Sequence, residues 1–224
     1  MKTLILQTYY HHDSNKADAS VGCYVPADEL AVLSEKRFRI YADSIGADYR
    51  MIDSPPYKKY PQPAWARWTI FDIAIEEGYD EVCYIDADIL PSHRSLGVSI
   101  FSYPGVAKQT ERDEGSRHSW HVNAGVFKVT QKECYKLRTA IHAKPNLRWL
   151  ERTGKNQDPF NNAYKKGVGK KPAFLDPIWN MTRQYHRDGS VPGGYFAHYI
   201  GHQKLGGNQW GNMEKCPIYL EDWS

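Results

Sequence analysis

Three short strand-like runs, the first and third apolar, alternate with two amphipathic stretches between Thr3 and Ile85, and that alternation leaves few folds open to the chain. Thr3-Leu4-Ile5-Leu6-Gln7 reads as a strand ending at Thr8-Tyr9-Tyr10. After a polar loop, Pro26-Ala27-Asp28 opens a helix with apolar residues at Leu30, Leu33, Phe38, Tyr41 and Ile45, closed by Gly46. Asp48 to Ile52 is a second strand, followed by a proline-rich loop from Ser54 to Pro63. A second helix is expected from about Ala64 to Glu77, burying Trp68, Phe71 and Ile75 and stopping at Gly78. Glu81-Val82-Cys83-Tyr84-Ile85 is short, apolar and rich in β-formers, as a strand buried on both faces must be. The order β-α-β-α-β predicts an α/β fold, a doubly wound and mostly parallel sheet.

Beyond that point the alternation loosens. Val106-Ala107-Lys108 and Gly125 to Val129 look like strands and Gln131 to Ala143 like a helix, and the last third is rich in loops. One domain over 1–224 is expected, with about 1–130 holding a constant group and about 131–224, irregular, reading a variable one. The net charge of +3 is too small to imply a nucleic-acid partner, although it suits a phosphate-bearing ligand. Aromatic residues make up 13% of the chain, enough for a core and for stacking on a sugar ring or a base. Cys23, Cys83, Cys134 and Cys216 show no paired spacing, which points to reduced thiols and a cytoplasmic setting. No run is long enough for a signal peptide or a membrane span.

Two carboxylates, Asp86 and Asp88, arrive at the carboxyl end of the third strand, where ligands of open α/β sheets bind. In an extended backbone the i, i+2 spacing points both to one side. Side by side they repel unless a cation lies between them, and a divalent cation bound to a phosphorylated substrate answers that need. A bare Asp-x-Asp also caps ordinary loops; the motifs downstream of it give this one weight. Asn123-Ala124-Gly125 opens a strand. Asn156-Gln157-Asp158-Pro159-Phe160-Asn161 gathers hydrogen-bonding side chains at a helix start, with Asp158 as N-cap and Pro159 at N1. Trp179-Asn180 comes next, and His198-Tyr199-Ile200-Gly201-His202-Gln203-Lys204 joins an imidazole, a glycine turn and a lysine. The glycines form neither Gly-x-Gly-x-x-Gly nor a Walker A pattern, which counts against dinucleotide and P-loop enzymes.

In this order and spacing the chain resembles the A-type (nucleotide-diphospho-sugar) glycosyltransferases, and most closely glycosyltransferase family 8, the glycogenin and bacterial galactosyltransferase-like enzymes. Trp65-Ala66-Arg67, Asp86-Ala87-Asp88, Asn123-Ala124-Gly125, Asn156 to Asn161, Trp179-Asn180 and His198 to Lys204 carry the resemblance. Asn156 departs from it, standing where the family has an aspartate. The resemblance implies a transferase moving a sugar from a nucleotide donor, expected to be a UDP-sugar, to a hydroxyl of a glycan or other acceptor with retention. It implies that Asp86, Asp88 and His198 hold Mn²⁺ or Mg²⁺, the imidazole leaning toward manganese because magnesium prefers oxygen. Thr8 and Tyr9 would meet the base and ribose, and Gly201 and Lys204 the diphosphate. Arg67, Asn123, Gln157 and Asp158 would line the donor sugar, and Asp86 and Gly125 would also belong to the donor-binding set. Gln157 would stabilise an oxocarbenium-like centre, since an amide is a poor nucleophile. Three alternatives stay open. One is inversion with Asp158 as general base, and another an inactive module that binds a nucleotide-sugar or glycan without chemistry. The third is a metal-dependent phosphoesterase or nucleotidyltransferase using Asp86 and Asp88, against which stands the lack of further clustered carboxylates for a second ion.

Overall fold

A computed structural model describes residues 1–9, 27–53, 67–105, 124–142, 173–181, 194–198 and 221–223, with Ala163 and Val168. Four strands form its main sheet: β1 (Thr3–Thr8), β2 (Asp48–Ile52), β3 (Glu81–Ile85) and β5 (Val126–Thr130). They lie in the order β2-β1-β3-β5, parallel except for β5, which runs antiparallel to β3. The short strand β4 (Ile89–Pro91) leaves this sheet and pairs antiparallel with β6 (Phe196–His198). Helix α1 (Ala27–Ser44) joins β1 to β2, α2 (Thr69–Glu76) precedes β3, and α3 (Gln131–His142) follows β5. The expected α/β class and mostly parallel sheet are therefore the observed ones.

Strand order and helix placement obey one rule. Crossovers between parallel strands are right-handed, so stepping from β1 to β2 and then back across to β3 puts the two helices on opposite faces. Alternate residues of each central strand accordingly enter separate cores. Leu4, Leu6, Val82, Tyr84, Phe127 and Val129 pack under α2 and α3, against Phe71, Ala74 and Leu137. Ile5, Cys83, Ile85 and Val126 face α1 through Phe38, Tyr41 and Ala42. Much of the aromatic content is spent here. Trp68, Phe71, Phe127 and Tyr84 stack on one side, while Phe38, Tyr41, Phe196 and Trp179 meet edge to face on the other. Cys83 and Cys134 are free thiols buried in these cores.

Both sheet-covering helices before β3 end as their glycines require. Gly46 has φ +67° and Gly78 has φ +70°. Ala47 N–H reaches Ala42 C=O and Gly46 N–H reaches Asp43 C=O, the paired bonds of a left-handed C-cap; Tyr79 N–H to Ala74 C=O repeats the outer one. Helix α3 opens with a capping box: Thr130 Oγ1 accepts from Glu133 N–H, and the Glu133 carboxylate accepts from Thr130 N–H.

Two expectations need correction. Helix α2 begins at Thr69; Arg67 and Trp68 form a turn whose carbonyls accept from Ile70 and Phe71, so the helical hydrogen bonding starts later than apolar periodicity suggests. Nor is the backbone extended through Asp86–Asp88. Ile89 N–H bonds to Asp86 C=O at 3.2 Å, closing a tight turn at the end of β3. The expected strand at 106–108, the loop at 54–63 and the helix start at 156–161 lie outside the described residues. Among the described residues no helix is long and apolar enough to cross a membrane.

Candidate active site

The chain steps from β1 to β2 on one side and to β3 on the other. In open α/β sheets ligands bind at the carboxyl ends of the strands at such a switch point. Strand β1 ends there at Thr8, and Asp86 follows β3 directly. A buried polar relay shapes the turn that carries the carboxylates. Tyr49 Oη donates to Gln7 Oε1 at 2.7 Å, and Gln7 Nε2 donates to Ser34 Oγ at 2.8 Å and to Asp86 C=O at 3.1 Å. Ser34 Oγ in turn donates to Ile89 C=O at 2.6 Å. Asp86 N–H is held by Gly125 C=O at 2.7 Å. Both ends of the turn Asp86–Ile89 are thus pinned by buried groups, and leaving any of these buried groups without a partner would cost roughly 1–3 kcal/mol.

His198 reaches the carboxylates through sheet pairing. In the β4–β6 pair Ile89 stands opposite His198, one residue after Asp88. That register places His198 Nε2 3.4 Å from Asp88 Oδ1, and one ligand atom from each of Asp86, Asp88 and His198 lies within 4.8 Å of the others. Two carboxylates and a neutral imidazole are a fitting donor set for a divalent cation that accepts both oxygen and nitrogen. They come from parts of the chain more than a hundred residues apart, so only the tertiary fold gathers them.

Arg67 balances the charge on the inner side. Its Nη1 donates to Ala124 C=O at 2.8 Å, Nη2 lies 3.3 Å from Asp86 Oδ1, and the guanidinium covers the Tyr84 ring. Burial opposes the charge on Arg67, but Asp86, Tyr84 and Asp88 together keep the guanidinium protonated and raise its pKa. Burial also pushes Asp86 above the ordinary carboxylate range; Arg67 works against that shift and Asp88 adds to it. A cation between the carboxylates would relieve the Asp86–Asp88 repulsion that Arg67 offsets only on one side.

The described sequence-named residues gather at this end of the sheet. Thr8 Oγ1 lies 3.0 Å from Tyr84 Oη, so its hydroxyl is engaged inside the protein. Tyr9 comes directly after it, half-buried, with its N–H on Ile52 C=O. Gly125 supplies the carbonyl that fixes Asp86. Asn123, Gln157, Asp158, Gly201 and Lys204 lie outside the described residues. Three residues received no role from sequence reasoning: Gln7, Ser34 and Asn180. Gln7 in an apolar strand and Ser34 on the apolar face of α1 were the available signals, since a polar group in a core position needs a partner.

The whole architecture has counterparts among solved structures. The chain is similar to a glycosyltransferase involved in the glycosylation of the major capsid of PBCV-1, with a TM-score of 0.61 at 16% identity over 90% of this chain and 94% of that one. It is also similar to the glycosyltransferase GlyE of Streptococcus pneumoniae TIGR4, with a TM-score of 0.51 at 16% identity over 90% of this chain and 55% of that one. The fold of this chain is the one these two glycosyltransferases share. No family model matches the chain, and no curated protein matches it in sequence.

Proposed function

We propose that this protein is a metal-dependent glycosyltransferase that moves a sugar from a nucleotide donor to a hydroxyl acceptor. The observation that carries the reading is the convergence of Asp86, Asp88 and His198 within 4.8 Å at the carboxyl end of a sheet with the A-type glycosyltransferase fold. A divalent cation held there, manganese in view of the imidazole, supplies positive charge to the diphosphate of the donor and of the departing nucleoside diphosphate. Every other contribution comes from the chain. Asp86 and Asp88 would hold the cation together with His198, from a turn whose carbonyls at Asp86 and Ile89 accept from Gln7 and Ser34. Arg67 favours the charged form of Asp86 against the effect of burial and holds the carboxylate from behind.

The finer assignments rest on the family 8 resemblance. In that reading the donor is a UDP-sugar, Tyr9 and Thr8 lie nearest the base and ribose, and Gly201 and Lys204 bind the diphosphate. Arg67, Asn123, Gly125 and Asp158 surround the sugar, and the Gln157 amide steadies the anomeric centre while the acceptor attacks from the leaving-group face. Configuration is then retained. Residues from about 1–130 supply the nucleotide-sugar-binding half, and about 131–224 the acceptor side. Gln157, Asp158, His198, Gly201 and Lys204 of that second half reach back to the donor and its cation.

The test is to incubate the protein with a panel of nucleotide-sugars, with and without Mn²⁺, and to measure released nucleoside diphosphate. The reading expects manganese-dependent release from one donor and its loss in Asp88→Asn. Nucleotide-sugar binding without release from any donor or acceptor tried would instead favour a binding module.

A further inference from the structure

Asn180 and His198 are each 3% exposed, and Asn180 Oδ1 lies 2.8 Å from His198 Nδ1. The opposite ring nitrogen, Nε2, faces Asp88 Oδ1 at 3.4 Å. One side of the imidazole therefore meets an amide and the other meets the carboxylate cluster.

The backbone holds both residues to this geometry. Asp176 caps the single 3₁₀ turn Pro177–Trp179 by accepting from Ile178 N–H, and Asn180 N–H closes that turn on Pro177 C=O. Trp179, wholly buried, packs edge to face on Phe196 of β6. Met181 N–H then donates to Phe196 C=O and His198 N–H to Met181 C=O, so the segment after the turn runs hydrogen-bonded beside β6.

The amide oxygen and nitrogen are alike in size, and chemistry decides which one meets the ring. A neutral imidazole has one proton and one lone pair. If Asn180 presents Oδ1, the proton belongs on Nδ1 and the lone pair on Nε2 is left for a cation beside Asp86 and Asp88. If it presented Nδ2, the proton would belong on Nε2, and that position would be closed to a cation. Among the described residues Asn180 Nδ2 has no acceptor, so the ring is the described partner that sets the amide.

We infer that Asn180 is a positioning residue that holds His198 with its proton on Nδ1 and its Nε2 lone pair turned toward the carboxylates. The inference rests on the metal reading of the site. It assigns to the Trp179-Asn180 pair a purpose: the indole anchors the turn, and the amide selects the tautomer of the third ligand. Hydrogen-bond partners of ligating histidines act in this way in metal sites generally, and their loss weakens metal binding about 10–100-fold.

The test is Mn²⁺ affinity, measured by electron paramagnetic resonance on the full chain, for the wild type, Asn180→Asp, Asn180→Leu, His198→Ala and the Asn180→Leu/His198→Ala double variant. Melting temperatures without metal are recorded for each. Aspartate can only accept, so Asn180→Asp is expected to bind manganese within about threefold of the wild type, while Asn180→Leu binds roughly 10–100-fold more weakly. In the His198→Ala background the leucine substitution should have no further effect, because the amide acts only through the ring. A purely structural lesion would add to His198→Ala and track the melting temperature. Wild-type affinity in Asn180→Leu, or equal loss in the aspartate and leucine variants, overturns the inference while leaving the metal site standing. A wild-type protein that takes up no manganese overturns both.

Discussion

The Arg67 guanidinium has three neighbours that no local signal connects: a backbone carbonyl at Ala124, the Asp86 carboxylate and the Tyr84 ring. Removing one partner from such an ion pair leaves the other charge uncompensated. Asp86 keeps 22% of its side chain exposed, so the penalty falls below the roughly 3–5 kcal/mol of a fully enclosed pair. Arg67→Met should lower the stability of the metal-free protein by about 2 kcal/mol. Urea denaturation with and without Mn²⁺ checks this, and added metal should recover part of the loss by replacing the missing positive charge. A variant as stable as the wild type would mean that water, not Arg67, compensates Asp86. At the same scale, Cys83 shows how burial silences a group: it pushes the thiol up to about 12, with Lys128 opposing only in part.

Elements in this protein are set by their ends. Gly46 holds φ +67° with open space where a Cβ would stand, so Gly46→Ala meets no clash and isolates the backbone cost. Left-handed conformation disfavours alanine by about 1–2 kcal/mol, and thermal unfolding should show a loss of that size. No loss would mean that α1 ends by some means other than this cap. Helix α2 is tied back to β2 by a two-pronged pair, Arg50 Nη1 and Nη2 to Glu77 Oε1 and Oε2 at 2.7 and 2.8 Å. The bond to Arg50 holds the Glu77 carboxyl below its ordinary value. A depressed carboxylate stabilises the fold above its unfolded pKa, and the gain is lost as pH falls through the folded one. Glu77→Gln should therefore be less stable than the wild type near neutrality, and the gap should close in acid. Both side chains are more than a third exposed, which limits the gap to under about 1 kcal/mol. Stability curves against pH that run parallel for the two proteins would refute the pairing.

At the scale of the whole molecule, distant segments meet at two seams among the described residues. One is the carboxylate–histidine cluster, which joins the β3–β4 turn to β6. The other is the segment Glu221–Trp223: the Arg37 guanidinium donates to Glu221 C=O, His93 N–H donates to the Glu221 carboxylate, and the Trp223 indole stacks on His93. A cation bound at the first seam stabilises only the assembled protein. Mn²⁺ at about a hundredfold excess over its dissociation constant should add about 2.7 kcal/mol, visible as a higher melting temperature in the wild type and absent in Asp88→Asn. An unshifted wild-type melting curve at such concentrations would remove the cation from the site.

Local chemistry settled a good deal of this protein in advance. The apolar runs at Thr3–Thr8 and Glu81–Ile85, the amphipathic face of α1 and the glycines at its end and at Gly78 act over a few residues, and their spacing alone dictates strand, helix and stop. The alternation of these elements, with the handedness of crossovers, dictated the parallel part of the sheet, β2-β1-β3, and the faces its helices cover. Contacts between remote residues obey no such spacing. The turn through Asp86–Asp88 depends on Gln7 and Ser34, the place of His198 on its pairing with Ile89, and the role of Asn180 on a ring eighteen residues further along the chain. Each is a partner chosen in three dimensions, where buried polar groups must be satisfied by whatever the fold brings near, and only the tertiary structure decides that.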